Sequence, residues 1–358
     1  MKIEELPVPG YERVVRAEEP GPGPGKSWCA IIAVHDTTLG PAVGGLRMWK
    51  YASRDAALTD VLRLARGMTY KSAVARTDLG GGKAVLIGDS KTEKSDALLS
   101  WVGRFIDTLG GKYLTAEDVG TSVLDLDVIA RETRYVTGRA REVGGSGDPS
   151  PFTALGTFCA IETCLAEAFG NPSPKGRKVA IQGVGHVGYW LAKRLAEAGA
   201  ELIVTDLEPL RVERVVREFK AKAVAQEEIH RVECDVFAPC ALGAVLNDTT
   251  IPQLRTRIVC GAANNQLAED RHGEALVRRG ILYGPDYVVN AGGIINIGVE
   301  LSAGGYDERR AEEKVRHVGV ALAEVFAHAK RRSIPTARAA DEVALSILEA
   351  GRARVQAN

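Results

Sequence analysis

The feature that most narrows what this chain can fold into is Lys178-Val-Ala-Ile-Gln-Gly183-Val184-Gly185-His186-Val187-Gly188. A short apolar run reads as a buried strand, and it passes directly into Gly-x-Gly-x-x-Gly. Tyr189–Ala198 then reads as a helix, and Glu201–Thr205 as a second strand ending in Asp206. Gly183 permits the tight turn, Gly185 lets the backbone approach a pyrophosphate, and Gly188 allows the helix to pack close to the strand. Val184, His186 and Val187 complete a loop in which free helix N-terminal N–H groups and the positive dipole end face phosphate. Asp206 stands 18 residues after Gly188, the place of a carboxylate that grips the ribose 2′- and 3′-hydroxyls. That carboxylate repels a 2′-phosphate, so NAD is expected rather than NADP, with Arg211 five residues on working against the preference. A glycine-rich turn alone also serves structural loops. Strand, loop, helix, strand and acid in this order predict a Rossmann-type α/β domain.

The 358 residues exceed one domain of ~150, and an apolar fraction of 45% is enough to bury two cores. The 46 basic and 46 acidic side chains cancel, which argues against a nucleic-acid partner, because backbone binding needs a basic excess. The longest unbroken apolar run, Trp28–Val34, is far below the ~20 residues of a membrane span, so no membrane association is expected. The N-terminus lacks the pattern of a secretory signal. Six cysteines without a CxxC suggest neither disulfides nor zinc, and six histidines show no ligand spacing, so no metal is expected. A soluble, cytoplasmic protein follows as the expectation. Glu18–Gly25, with alternating Pro and Gly, reads as a hairpin loop between Tyr11–Ala17 and Trp28–His35. Arg54–Tyr70 has helical spacing, which puts Lys71 at or just past a helix end, and Ser95–Leu109 repeats the pattern. Lys112–Thr115 reads as a short strand. A loop-like stretch from Glu142 to Pro151 precedes a new helix, Phe152–Phe169, and marks a domain boundary. Strands and helices then alternate to about residue 300, and Ala337–Val355 is helical by pattern.

Three front-half segments carry candidate chemistry: Gly67-Met68-Thr-Tyr-Lys71, Gly80-Gly-Gly-Lys83 and Thr115-Ala116-Glu-Asp118-Val-Gly-Thr121. Successive glycines strip side chains from around an amine, as needed where a substrate sits close. A flexible turn with a solvated lysine is the competing reading. Gly80–Lys83 is not a Walker A loop, since Ala84 follows the lysine. Asp118 could serve chemistry or cap a helix, and Ser122-Val-Leu-Asp125 offers a rival cap. Residue chemistry alone stops at an NAD-binding protein with candidate lysines.

Together these segments resemble the glutamate/leucine/phenylalanine/valine dehydrogenase family, and most closely its leucine-type members. The carriers run along nearly the whole chain: Thr37–Trp49, Leu64–Lys71, Asp78–Lys83, Thr115–Thr121, Gly145–Pro151, Phe237–Ala244, Gly261–Gln266 and Pro285–Gly293. The resemblance implies NAD-dependent oxidative deamination of an L-amino acid in a cleft between two domains. It implies a substrate and oligomerisation domain over 1–148, the Rossmann domain over 149–330, and a helical segment over 331–358 packing back across the cleft. Lys71, with Gly44, Gly45 and Met68, would bind the substrate. Lys83 would be the general base, its pKa lowered by Lys71 and by desolvation, and Asp118 would exchange protons with the amine. Asn265 would orient substrate, while Asn264 and Thr153 would meet the nicotinamide. Leu39, Ala116, Ile294 and Ile297 would line the side-chain pocket. A pocket without a cation disfavours glutamate, whose second carboxylate would be buried unpaired. Ala116-Glu117-Asp118 is the leucine-type sequence, and two isoleucines narrow the pocket towards valine or isoleucine. The expected substrates are therefore branched-chain L-amino acids, in a homo-oligomer that the resemblance makes an octamer. A phenylalanine or tryptophan dehydrogenase and a catalytically silent NAD-binding subunit are the alternatives.

Overall fold

Period-two apolar patterning and one long amphipathic helix build the first half of the protein. The computed structural model describes residues 1–23, 27–241 and 243–357. Two units share them: Met1–Asp148 with Ile297–Asp307 and the chain from Leu345 onward form the first, while Pro149–Asn296 and Glu308–Ala344 form the second.

In the first unit β1 (Lys2–Glu5), β2 (Arg13–Pro20), β3 (Ser27–Asp36), β4 (Ala42–Trp49), β5 (Gly80–Ile87) and β6 (Tyr113–Glu117) form one sheet. Its order is β1-β2-β3-β5-β4-β6, antiparallel up to β5 and parallel from β5 through β4 to β6. Helix α1 (Arg54–Val74) covers one face, burying Ala57, Val61 and Ala65 against Ile31, Ala33 and Val85. Helices α2 (Asp96–Asp107) and α3 (Val123–Ile129) cover the other, where Trp101, Phe105 and Leu126 meet Leu46, Met48 and Leu86. Ser53 starts α1 by accepting the Ala56 N–H, and Ser122 and Asp125 cap α3 reciprocally. Asp118 is therefore not that cap.

Several assignments differ from the sequence reading. Helix α1 continues to Val74, so Lys71 lies inside its last turn. Strand β6 continues through Glu117, which makes Ala116 a strand residue. Strand β2 runs to Pro20, which pairs with Ser27, so the hairpin loop is shorter than expected; Pro24 and Gly25 of that loop lie outside the described residues. Finally, Gly80–Gly82, for which a flexible turn is the competing reading, is the start of β5. Packing requires the glycines: a Cβ on Gly81 would lie 2.1 Å from Thr69 N of α1, and one on Gly82 2.8 Å from the Tyr113 ring.

The second unit holds α4 (Ser150–Phe169), β7 (Lys178–Gln182), α5 (His186–Glu197), β8 (Glu201–Thr205), α6 (Pro209–Phe219) and β9 (Lys222–Ala223). After these come β10 (Val236–Pro239), β11 (Ile258–Val259), α7 (Arg271–Arg278), β12 (Leu282–Tyr283) and α8 (Asp286–Val289). The sheet is wholly parallel in the order β12-β11-β10-β7-β8-β9, so strand order reverses between β7 and β10. Helix α9 (Gly292–Leu301) contributes residues to both units, as does α11 (Thr336–Ala357), whereas α10 (Glu308–Arg332) belongs to the second. Helix α4 is long and apolar enough to cross a membrane by length and composition, although counting unbroken apolar runs missed it. Ala154, Leu155, Ala160, Ile161, Cys164 and Leu165 are buried within the protein, which accounts for that apolar character.

Candidate active site

Strand alternation in the first sheet decides which side chains meet. Gly45 pairs in register with Ala116, and Ala33 of the α1-covered face pairs with Lys83. Lys83, Gly45, Arg47, Ala116 and Asp118 thereby share the α1-facing side. A Cβ on Gly45 would lie 2.7 Å from Asp118 Cβ, and one on Gly44 1.8 Å from the Gly82 carbonyl oxygen, so both glycines are demanded by close approach. Lys83 Nζ lies 2.5 Å from Asp118 Oδ2, with side-chain exposures of 8% and 18%. Arg47 Nε is 3.3 Å from the same oxygen. Arg47 Nη1 reaches Asp60 Oδ2 at 3.1 Å, and the Tyr51 hydroxyl donates to that oxygen at 2.7 Å.

Burial pushes the Asp118 carboxyl up, but the charges of Lys83 and Arg47 outweigh it and hold the group at about 2, below its ordinary 3.8. Near neutrality Asp118 is thus an anion: it can accept a proton from an ammonium group but has none to give. The second cation at this carboxylate is Arg47, where the sequence reading looked to Lys71 for the charge beside Lys83. Met68 and Lys71 are half-buried and three residues apart on α1, and Leu39 is half-buried in the loop entering β4. Because its folded pKa is depressed, Asp118 stabilises the fold above pH ~4 by roughly 2 kcal/mol, and that contribution is lost as pH falls towards 2. Urea midpoints measured from pH 5 down to 2.5 should fall more steeply for the wild type than for Asp118→Asn.

In the second unit the phosphate loop occupies the switch point of the sheet. Gly183 has φ +95°, and a Cβ there would lie 2.7 Å from Ala241 Cβ just beyond β10. A Cβ on Gly188 would lie 2.0 Å from the Gly183 carbonyl oxygen, whereas one on Gly185 would meet only Arg211 Nη1, at 3.5 Å. Space thus stays open above Gly185, and no side chain caps α5. This cradle fits a dinucleotide pyrophosphate. Val184 is buried, Val187 half-buried and His186 exposed. Asp206 Oδ2 accepts the Val184 N–H at 2.8 Å and Oδ1 the Glu208 N–H at 2.9 Å, which fastens the loop to the end of β8. Each carboxylate oxygen retains a lone pair for a ribose hydroxyl. Arg211 Nη1 is 3.7 Å from Oδ1.

Thr153 donates to the Pro149 carbonyl from the first turn of α4, and a Cβ on Gly293 would lie 3.1 Å from its Oγ1. Asn264 and Asn265 are exposed, and Asn265 takes the left-handed conformation with φ +51°. Ile294 is buried in the second unit, while Ile297, one turn on along α9, belongs to the first with Leu39 and Ala116.

The domain model described as Glu/Leu/Phe/Val dehydrogenase, dimerisation domain, matches residues 12–135, and that of glutamate/leucine/phenylalanine/valine dehydrogenase matches 144–206 and 204–349. The chain belongs to the glutamate/leucine/phenylalanine/valine dehydrogenase family. It is 54% identical to the leucine dehydrogenase of Geobacillus stearothermophilus over 323 residues, covering 90% of this chain and 88% of that one. Identity to the valine dehydrogenase of Streptomyces virginiae is 47% over 338 residues, covering 94% and 93%. Among solved structures, L-tryptophan dehydrogenase from Nostoc punctiforme superposes with a TM-score of 0.83 at 42% identity, covering 96% and 97%. Dehydrogenases of this family are generally NAD(P)-dependent, in keeping with the Rossmann-like sheet.

In this family member, sequence reasoning missed Arg47, Asp60, Tyr51 and Asn290. Arg47 stands two residues after Gly45, and period-two alternation alone would have put it on the same face. Asp60 and Tyr51 carry no local signal, because their role exists only once α1 lies on the sheet. Asn290 Nδ2 donates to Asn264 Oδ1 at 2.7 Å and fixes that amide's orientation. Asp248, Glu269 and His272 also converge, with ligand atoms within 4.8 Å of one another. Arg271 ion-pairs with both carboxylates, and His272 Nδ1 accepts the Glu269 N–H, so the three form a network at the start of α7.

Proposed function

We propose that this dehydrogenase catalyses the reversible oxidative deamination of L-leucine, and of L-valine and L-isoleucine, to the 2-oxo acid, with NAD as oxidant. Amino acid, NAD and water give 2-oxo acid, ammonium, NADH and a proton. The observation that carries the reading is the Lys83–Asp118 ion pair at 2.5 Å, buried on the sheet face beside Ala116. High identity to leucine and valine dehydrogenases supports the branched-chain class.

When bound, NAD supplies the hydride acceptor for the substrate Cα. The chain's residues supply charge and position. Lys71 holds the substrate carboxylate as a point charge, with the side-chain-free backbone of Gly44 and Gly45 beside it. Asp118, an anion held by Lys83 and Arg47, takes one proton from the substrate ammonium before hydride leaves Cα and then faces the iminium cation left at nitrogen. Lys83 takes the proton from the water that attacks the iminium carbon. Leu39, Ala116 and Ile297 of the first unit receive an aliphatic side chain. The Gly183–Gly188 loop would hold the pyrophosphate, Asp206 the adenosine ribose, and Thr153 and Asn264 the nicotinamide, while Asn265 would orient substrate. We further propose cytoplasmic location, in keeping with six free thiols. The dimerisation domain supports a homo-oligomer, for which we propose an octamer, checked by light scattering.

The test is NADH formation with NAD and a panel of L-leucine, L-valine, L-isoleucine, L-phenylalanine, L-tryptophan and L-glutamate. Turnover should be confined to the branched-chain acids, with kcat/KM differing among them by about 10–200-fold at most, since one methylene is worth roughly 1–3 kcal/mol. Chief activity on aromatics, as in the tryptophan dehydrogenase relative, would replace the pocket reading. Dinucleotide binding without turnover of any substrate would make the protein a silent subunit.

A further inference from the structure

Asp118 Oδ2 meets two cations, and only one of them exchanges a proton in the reaction above. Lys83 must alternate between ammonium and amine, whereas a guanidinium stays charged at every working pH. Were Lys83 the sole partner, its loss of a proton would strand a buried carboxylate, a situation that costs several kcal/mol. Arg47 removes that penalty. It is held for the purpose from the other side: Asp60 accepts Arg47 Nη1 at 3.1 Å, the Tyr51 hydroxyl at 2.7 Å and Arg63 Nη2 at 3.1 Å. The side chains of Arg47 and Asp60 are only 20% and 18% exposed, so water screens this chain of charges weakly.

We propose that Arg47 is the permanent counter-ion of Asp118, a positioning residue that keeps this carboxylate charged and in place when Lys83 is deprotonated and so sets the pH at which Lys83 acts as base. The inference rests on the reading of Lys83 as base. Of the two cations in contact with Asp118 Oδ2 among the described contacts, Lys83 exchanges its proton and Arg47 is the fixed one. Lys83 comes from β5, Arg47 from β4, and Asp60 from α1 through Arg47. On α3, Asp125 is already paired with Lys94 at 2.8 Å. Tyr113 and Tyr51 stay neutral, since burial pushes both phenols above their ordinary 10.0.

The test is kcat/KM for L-leucine against pH, from 7 to 11, with the full-length enzyme and saturating NAD. In Arg47→Gln the ascending limb moves to higher pH by about one unit, so that at the wild-type half-maximal pH the variant is roughly fivefold slower and recovers on going more alkaline. Arg47→Lys, which keeps a cation at the lower end of this range, stays close to the wild-type limb there and departs from it only where the new amine loses its own proton. Tyr51→Phe loosens the grip of Asp60 on Arg47 without removing a charge, and shifts the limb in the same direction by less; it carries the test if Arg47→Gln does not fold. A loss of rate that is equal at every pH would reduce Arg47 to a structural role and overturn the proposal. Lys83→Ala separates the two claims. If it is inactive while Arg47→Gln and Tyr51→Phe retain the wild-type limb, the Arg47 proposal fails and the base reading stands. If Lys83→Ala turns over at the wild-type rate, the base reading fails and takes the proposal with it.

Discussion

Lys83→Ala should slow leucine oxidation by about three orders of magnitude, inside the 10²–10⁴ that a positioned general base contributes. Lys83 is 6% exposed, so water cannot easily substitute for its amine at that spot. The loss should appear in kcat and in kcat/KM alike, because proton transfer from water belongs to the chemical step. It should appear equally in reductive amination, where the same group returns the proton. Dinucleotide affinity, read from NADH fluorescence, should be unchanged, because the Gly183–Gly188 loop belongs to the other sheet. Truncation also leaves Asp118 with Arg47 alone, so a thermal melt must show that the variant is folded. Lys83→Met fills the space without the charge and should be as inactive. A rate within tenfold of wild type for the folded variant would remove Lys83 from the mechanism.

The second large effect concerns the cofactor. Asp206→Ser should move the ratio of NAD to NADP efficiency by on the order of 10³. Hydrogen bonds to a charged group are worth roughly 1.5–3 kcal/mol, so losing the ribose contact costs NAD about 10–100-fold. NADP gains for the opposite reason: the repelling carboxylate is gone, and Arg211, 3.7 Å from it in the native protein, is released to pair with a 2′-phosphate. Serine is chosen because its hydroxyl can still accept the Val184 N–H that holds the loop. Adding Arg211→Ala should abolish the NADP gain and leave the NAD loss. Unchanged NAD affinity in Asp206→Ala would dismiss the ribose contact outright.

The Rossmann half was legible because its constraints are local. A dozen consecutive residues specify a strand, a turn that needs φ above zero at Gly183, and a helix start. The first sheet was not, because its order depends on pairings distant in sequence. Gly80–Gly82 is the clearest case. Glycine has low strand propensity, so three in a row read as a turn, and only Thr69 and Tyr113 pressing from opposite faces explain why a central strand lacks side chains there. Lys83 and Asp118 could be named from motif resemblance, but not their separation of 2.5 Å. Arg47 stood inside a quoted motif and still escaped notice, since its value lies in bridging β6 to α1.

The first unit is not one stretch of chain. It begins at Met1, yet includes Ile297–Asp307 and the residues from Leu345 onward. A ribosome therefore delivers residues 1–148 long before that unit can be finished. The last turns of α11 matter to its beginning: Arg352 lies 2.6 Å from Asp36, a carboxylate only 5% exposed, and a Cβ on Gly351 would sit 2.8 Å from Leu39 Cδ2. A nascent or prematurely terminated chain leaves Asp36 without its counter-ion and the Leu39 loop without its backing. The first unit can therefore close only once its last helix has been made.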